Sequence, residues 1–378
     1  MIALARKTLF HEWRRFLPAI LAIGFSGVLL TVQAALVLGI FGSAAVYVSS
    51  SSADLWAGYP GTQSVNFGRT ISPDVEMRLR MDPDVTDVEP YIWVEGDWHG
   101  THEKSGGVSV FVSGINPGRQ GMMFSSLLSS GLRQRLEEPN AVIVDRSELN
   151  QLGVSLDQSA WINGHRVHVV AAIAGLRGLG GVNVLASLDT ALLLQGDDNP
   201  GSGPTYYVAK VRKPSHVEAA QARLVANPSF GPFEVWTAKQ FAWRSQLYWM
   251  FDTGAGVAVL FMAGIVCLVG GVITSQSLMA MVAASAREYA VLNALGASFR
   301  SLCQVVLEQS CWVGGLGLLV TGLTSTVLLS VAARHDVPVA MNTPIALICA
   351  ALVLGLALVS GLIAMRGLLR ADPALLLR

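Results

Sequence analysis

Charge is scarce in this chain. Of its 378 residues 14% are charged and 52% apolar, against about 25% and 45–50% in soluble domains. The formal net charge is zero, so the basic footprint of a nucleic-acid binder is missing. Cysteine is scarce too: Cys267, Cys303, Cys311 and Cys349 all fall in apolar runs. The long polar middle has none and cannot hold itself together with disulfides. The four read as small buried hydrophobes.

Catalytic signatures are also missing. No G-x-x-x-x-G-K-[ST] phosphate loop occurs, so ATP is not bound by that route. His11-Glu12 meets Arg15, and His102-Glu103 meets Gly106, where a zinc protease motif needs a second histidine. No G-x-S-x-G serine elbow is present. His99 and His102 are three apart, as are His165 and His168. In a strand that spacing points side chains to opposite faces, and both pairs read as solvated histidines. No catalytic residue, no metal site and no bound cofactor is expected in this chain.

Four charge-free runs are what the chain does have: residues 16–53, 253–286, 309–333 and 337–365. Each exceeds the roughly 20 residues that a bilayer span needs. The first two exceed one crossing and are expected to protrude as continuing helix. Pro18 and Pro344 stand at the starts of their runs, where a helix tolerates proline. The first run is too long for the apolar core of a signal peptide and reads as an uncleaved anchor. Basic residues flank the spans at Arg6, Lys7, Arg14 and Arg15, at Arg287 and Arg300, and at Arg366, Arg370 and Arg378. Those segments are therefore expected in the cytoplasm. The stretch 48–250 is expected outside, since long domains translocate largely regardless of charge.

The expected fold is an α-helical membrane protein with four transmembrane helices and a mixed α/β periplasmic domain inserted between helices 1 and 2. A cytoplasmic segment 1–15 leads to helix 1 at 16–47 and the outer domain at 48–250. Helix 2 follows at 251–283, a cytoplasmic helix at 284–297, helix 3 at 298–333, an outer loop at 334–342, helix 4 at 343–365 and a tail at 366–378. In the outer domain Ser72-Pro73-Asp74 reads as a helix start. Strand patterns cover 85–98, 108–114, 141–144, 159–162, 167–173, 206–211 and 233–237. Asn163-Gly164 is a hairpin signal, 215–226 reads as helix, and 175–181 as a glycine-rich loop. Strand–helix elements at both ends suggest one α/β part built from both, with a β-rich insert at about 118–200. The stretch 237–252 carries Trp243, Tyr248, Trp249 and Phe251. It reads as interfacial aromatics on a stiff helix descending into span two.

Within the spans, Glu308 is the one charged residue, near the cytoplasmic end and within reach of water or Arg300. Gly264, Gly270 and Gly271 in span two, and Gly314, Gly315 and Gly317 in span three, suit a tight bundle or a dimer.

The segment between spans two and three is unlike an ordinary loop. Ser285 and Glu288 make an S-x-x-E capping box. Val291, Leu292 and Leu295 then gather on one side, beside Tyr289 and Ala290. Gly296 is a natural helix terminator, and Ser298 can cap the next helix. The segment reads as a separate amphipathic helix at the membrane surface.

Arg287-Glu-Tyr-Ala-Val-Leu-Asn-Ala-Leu-Gly-Ala297 resembles the R-E-x-A-x-L-x-A-L-G-A signature of FtsX/MacB-type ABC transporter permeases. Asp372-Pro-Ala-Leu-Leu-Leu-Arg378 is similar to their D-P-A-x-x-L-R tail, and the order of parts matches. Among these the chain is most similar to stand-alone, DevC-like permeases. The resemblance implies a bacterial inner-membrane permease that is not itself an enzyme. An ABC ATPase in trans would carry ATP and magnesium, and the permease would form a homodimer. The helix 285–296 would be the coupling helix. Arg287 and Glu288 would make polar contacts with the ATPase, Leu292 and Leu295 would be apolar anchors, and Ala290 and Gly296 complete the matched motif. A periplasmic adaptor and an outer-membrane channel are further partners of such systems, besides membrane lipid. The alternative is an FtsX-like scaffold regulating a cell-wall hydrolase.

Overall fold

The computed structural model describes residues 13–100, 107–196, 203–224, 230–284, 299–335 and 337–369. The chain forms two compact units, Ile40–Ala255 and the stretches on either side of it.

The first helix, α1 (Trp13–Ser43), carries Pro18 in its early turns. It stops at Ser43, and after a turn a short α2 (Val46–Ser49) follows. The apolar run to residue 53 therefore does not continue as one helix. Its last part enters the core of the outer unit instead, with Val46, Tyr47 and Val48 buried.

The outer unit holds β1 (Leu55–Gly58), α3 (Asp74–Arg80), β2 (Val85–His99), β3 (Val108–Ile115), α4 (Ser130–Leu136), β4 (Ala141–Asp145) and α5 (Leu149–Leu152). It continues with β5 (Ser159–Ile162), β6 (His165–Ile173), β7 (Val182–Ser187), α6 (Leu188–Gln195), β8 (Tyr206–Val211), α7 (Val217–Arg223), β9 (Glu234–Thr237) and α8 (Ala238–Leu247). One antiparallel sheet runs β2-β8-β1-β9 and so draws on both ends of the domain. Leu55, Ala57, Tyr207 and Ala209 on this sheet bury Val75 and Leu79 of α3 and Ala220 of α7.

β2 is too long for one sheet. Residues 85–91 pair with β8, whereas 92–98 pair with β3. From there pairing passes through β7, β4, β6 and β5 and returns to β2 at Trp98 and His99. This closed ring of six strands encloses Val94, Trp98, Val110, Val112, Val144, Ile162, Val169 and Val184. The β-rich part thus takes in β3 and half of β2, upstream of residue 118. In β3 both faces are buried from Val110 to Ile115, against the simple alternation. Ser113 is tolerated inside because its hydroxyl bonds Tyr91 Oη and Asn183 Oδ1, both at 2.9 Å.

Local signals act as their chemistry requires. Asn163 (φ +50°) and Gly164 (φ +82°) turn β5 into β6, with Ile162 opposite His165. Both central residues are left-handed, which is why Asn-Gly suits this turn. Ser72 Oγ accepts from Asp74 N at 3.3 Å at the start of α3. α7 ends at Arg223, short of residue 226.

Arg223 ties α7 to the loop before β2. Its Nε and Nη2 donate to the two oxygens of buried Asp82 at 2.8 Å each, and Nη2 also reaches Asp84 at 2.6 Å. This hydrogen bonding holds the Asp82 carboxyl below its usual range. A carboxylate depressed in the fold adds stability above its unfolded pKa of about 3.9 and loses it as pH falls through the folded value. The melting-temperature gap between wild type and Arg223→Gln should therefore be widest near neutrality and close in acid. Thermal unfolding across pH measures it, and an unchanged gap in acid would refute the assignment.

The aromatic stretch is not one stiff helix. α8 begins with a full capping box of Thr237 and Gln240. It passes into a π-helical turn, Tyr248–Asp252, and Gly254 at φ +74° ends the run. A left-handed residue cannot continue a right-handed helix.

Beyond it lie α9 (Ala255–Ala284), α10 (Phe299–Arg334) and α11 (Thr343–Leu369). With α1 they supply four helices long and apolar enough to span a membrane: Phe16–Ser43, Ala255–Ala280, Val306–Arg334 and Thr343–Ile363. Residues 337–342 are not helical. Ala340 N donates to Ala35 O at 3.0 Å, and Gly39 leaves room for the Pro338 carbonyl.

Candidate functional site

The segment carrying Ser285, Arg287, Glu288, Ala290, Leu292, Leu295 and Gly296 lies outside the described residues. Its two arms, α9 and α10, are described, and both are fastened to α1.

On the α10 side the contact is built from small residues. A Cβ at Gly317 would stand 2.6 Å from Ile23 Cγ2, and one at Gly24 would stand 2.9 Å from Val320 Cγ1. Gly27 faces Thr321 just as closely. The buried Thr321 hydroxyl reaches Gly24 O at 3.1 Å and Gly317 O at 3.0 Å. Without a hydrophobic drive between helices in lipid, such close approach and interhelical bonding are what hold a bundle together. On the α9 side, a Cβ at Gly270 would stand 2.9 Å from Ser26 Cβ, and Gln33 Nε2 donates to Val259 O at 3.1 Å. Phe16, Ile23, Leu278, Val306, Val313, Val353 and Ala357 share one core. α11 closes it: a Cβ at Gly314 would stand 3.2 Å from Ala357 Cβ, and one at Gly361 would collide with Ser310.

The glycines singled out in sequence therefore divide. Gly270, Gly314 and Gly317 serve contacts inside this chain, and a Cβ at Gly271 would meet Leu356 at an ordinary 3.4 Å. Among the described residues nothing stands in front of Gly264 or Gly315, and Gly264 lies on a helix with exposed apolar residues such as Phe261, Ile265 and Leu268.

Glu308 lies in α10 with Oε1 buried and no hydrogen-bond donor on it among the described residues. The Arg300 side chain that it was expected to reach is outside them. The histidines stay on the surface: His99 Nε2 contacts Asp97 at 3.1 Å and His168 Nε2 contacts Glu138 at 3.3 Å, while His102 is not described. Among the described residues no group of three or more His, Cys, Asp or Glu could hold a metal. Cys267, Cys311 and Cys349 are free thiols.

Sequence reasoning missed Tyr47. The residue is fully buried, edge-on to Phe124 at 6.3 Å, and a Cβ at Gly178 would stand 2.6 Å from its hydroxyl. Phe124 is itself left-handed, at φ +51°. α2 thus plugs into the outer core against the glycine-rich loop. Nothing in sequence separates Tyr47 from the apolar run it ends.

Residues 260–373 match the family model of the FtsX-like permease C-terminal. No curated protein matches the chain. Solved structures that resemble it include the periplasmic region of MacB from Actinobacillus actinomycetemcomitans, at 11% identity and TM-score 0.34, covering 51% of this chain and 92% of that one. Another is the extracellular domain of the noncanonic ABC-type transporter YknZ from Gram-positive bacteria, at 14% identity and TM-score 0.33, with coverages of 49% and 98%. A third is a permease-protein domain from Porphyromonas gingivalis, at 12% identity and TM-score 0.27, with coverages of 48% and 86%.

Proposed function

We propose that this chain, an FtsX-like permease of the ABC-transporter class, passes the ATP-driven motion of a separate ATPase to its outer domain. The observation that carries this reading is the fastening of both arms of the 285–298 segment to α1. A push on that segment loads α9 and α10 together. Gly24, Gly27, Gly317 and Thr321 on one side, and Ser26, Gly270 and Gln33 on the other, make α1 follow. α1 in turn leads by chain into Tyr47 and the outer core.

In this reading the helix 285–296 seats in a groove of the ATPase, with Leu292 and Leu295 as apolar anchors and Arg287 and Glu288 on the rim. ATP and magnesium belong to the ATPase. The permease acts as a homodimer in the bacterial inner membrane, with its large domain in the periplasm. It helps extrude a lipid, lipoprotein, peptide or hydrophobic compound by way of an adaptor and an outer-membrane channel.

The test is co-purification of the tagged chain in mild detergent, with ATPase activity measured on the product. Wild type is expected to bring down an ABC ATPase. Leu292→Asp and Leu295→Asp should lose it, or lose permease-stimulated hydrolysis, while still inserting, because a buried unpaired carboxylate costs several kcal/mol. Variants that keep full coupled activity would sink the coupling role. A co-purifying murein hydrolase in place of an adaptor would favour the scaffold function instead.

A further inference from the structure

The outer unit carries a ridge of aromatic rings that its own core does not use. Trp243 is 61% exposed, Phe251 48% and Phe67 47%, and Tyr248 and Trp249 are half-buried. Phe67 is remote in sequence, in the 3₁₀ turn Val65–Phe67. Yet its ring meets Tyr248 edge-on at 5.1 Å and stacks on Trp249 at 6.1 Å. The turn is held in place from two sides. Trp249 Nε1 donates to Ser64 Oγ at 3.2 Å, and Asn66 Nδ2 donates to Leu179 O at 2.8 Å. Single exposed apolar residues are ordinary. A cluster of touching rings, Phe67, Tyr248 and Trp249, with exposed Trp243 and Phe251 on the same segment, points to a partner.

Chain continuity says which partner. Phe251 precedes Ala255, the first residue of a membrane span, by four positions and Tyr248 precedes it by seven. At about 3.5 Å per residue the ridge lies within roughly 15–25 Å of that residue. Tryptophan and tyrosine are enriched at the water–lipid boundary. α8 itself carries no carboxylate, and with Arg244 paired to Glu234 of β9 at 3.3 Å the cation it offers to lipid is Lys239. Lys239 is exposed one turn before Trp243, where an ammonium can meet lipid phosphates.

We propose that the Val65–Phe67 turn and the aromatic segment 243–251 form one lipid-binding ridge whose partner is the phospholipid bilayer surface. The ridge pins a sequence-remote turn to the membrane, and through Asn66 and Trp249 it pins the glycine-rich loop that abuts Tyr47. This inference needs only the membrane spans and stands apart from the coupling reading.

The experiment measures tryptophan emission of the full chain in nanodiscs of phospholipid brominated high on the acyl chains, against the unbrominated lipid. Phe67→Trp adds an indole at a half-exposed position, and that added emission is expected to be largely quenched. Trp243→Phe should remove a component that bromine quenches. Trp312→Phe calibrates lipid contact, because Trp312 lies on α10 and is 41% exposed. If the indoles at 67 and 243 keep their full emission while that of Trp312 is quenched, the ridge faces water or protein and the proposal is overturned. Neither result depends on an ATPase, so it is independent of the coupling test.

Discussion

Gly317→Leu is expected to leave little folded protein in the membrane, whereas Gly315→Leu should be close to neutral. The two glycines are neighbours on α10 and look alike in sequence. At Gly317 a Cβ would already stand 2.6 Å from Ile23 Cγ2 and 2.8 Å from Ile23 Cβ. Ile23 is 1% exposed, and being β-branched it cannot swing aside. Leucine would force α1 and α10 apart. That would break the interhelical hydrogen bond from the Thr321 hydroxyl to Gly24 O, at 3.1 Å. Overpacking alone costs about 1–3 kcal/mol, occasionally more, and each interhelical hydrogen bond in lipid adds roughly 0.6 kcal/mol. At Gly315 a Cβ meets nothing within 4 Å, so a leucine there points into open space. Detergent gel filtration after graded heating should show Gly317→Leu aggregated at temperatures that Gly315→Leu survives. Equal behaviour of the two variants would mean that the α1–α10 contact does not hold the bundle. Gly317→Ala should fall between them, since its single added carbon meets the same isoleucine.

That pair of residues shows how far the membrane part could be read beforehand. The spans were legible because a bilayer demands long charge-free runs, and such runs stand out. Their ends were less so. The run to residue 53 changes structure at Ser43 without changing polarity, because Val46, Tyr47 and Val48 are apolar for a different reason, burial in a protein core. A glycine announces that something comes close but not what. Only the arrangement of helices shows that Gly317 meets Ile23 while Gly264 meets nothing.

In the outer domain short-range chemistry was readable and long-range pairing was not. Asn163-Gly164 and Ser72-Pro73 each specify their own geometry from adjacent residues. The six-strand ring depends on β3 lying parallel to β7, some seventy residues away, and on β2 crossing from one sheet to the other. No local pattern encodes either. The aromatic stretch misled for a related reason. Interfacial anchoring was part of the expectation, but the backbone breaks at Gly254, and Tyr248 and Trp249 pack on Phe67, which sequence places nowhere near them. The proposed ATPase-coupling residues, by contrast, rest on the capping box and motif around Ser285–Gly296 alone.

Arg133 is the clearest case of a residue whose weight is invisible in sequence, and its replacement should cost more than any other in the outer domain. In a short amphipathic helix an arginine reads as solvated. Here it is 3% exposed, and its guanidinium donates to four carbonyls. Nη1 reaches Asn116 O at 3.0 Å and Gly118 O at 3.4 Å; Nη2 reaches Gly121 O at 2.8 Å and Met123 O at 2.7 Å. A planar fork can serve acceptors on several sides at once, which an ammonium cannot. The loop it gathers delivers Met122, Met123 and Phe124 into the core against Tyr47, and it holds Phe124 at an unfavourable φ. Arg133→Met fits the volume but leaves buried carbonyls without donors. The expected loss is about 3–5 kcal/mol, on the order of 10 °C in melting temperature for a domain of this size. Arg133→Lys should recover less than half. A pH signature separates this from simple loss of packing. Glu89 lies in the same loop system, accepting from Met122 N at 2.8 Å and Asn116 Nδ2 at 3.3 Å. Burial pushes its carboxyl up, and the charge of Arg133 opposes that. A carboxyl raised in the fold makes the folded state bind protons more readily than the unfolded one, so stability falls as pH rises through that window. Removing Arg133 raises it further. The deficit of Arg133→Met should therefore widen as pH rises above the ordinary carboxylate range, and Glu89→Gln in the same background should remove that widening. A deficit that is flat with pH would leave the carbonyl bonds as the whole effect and Glu89 outside the arrangement.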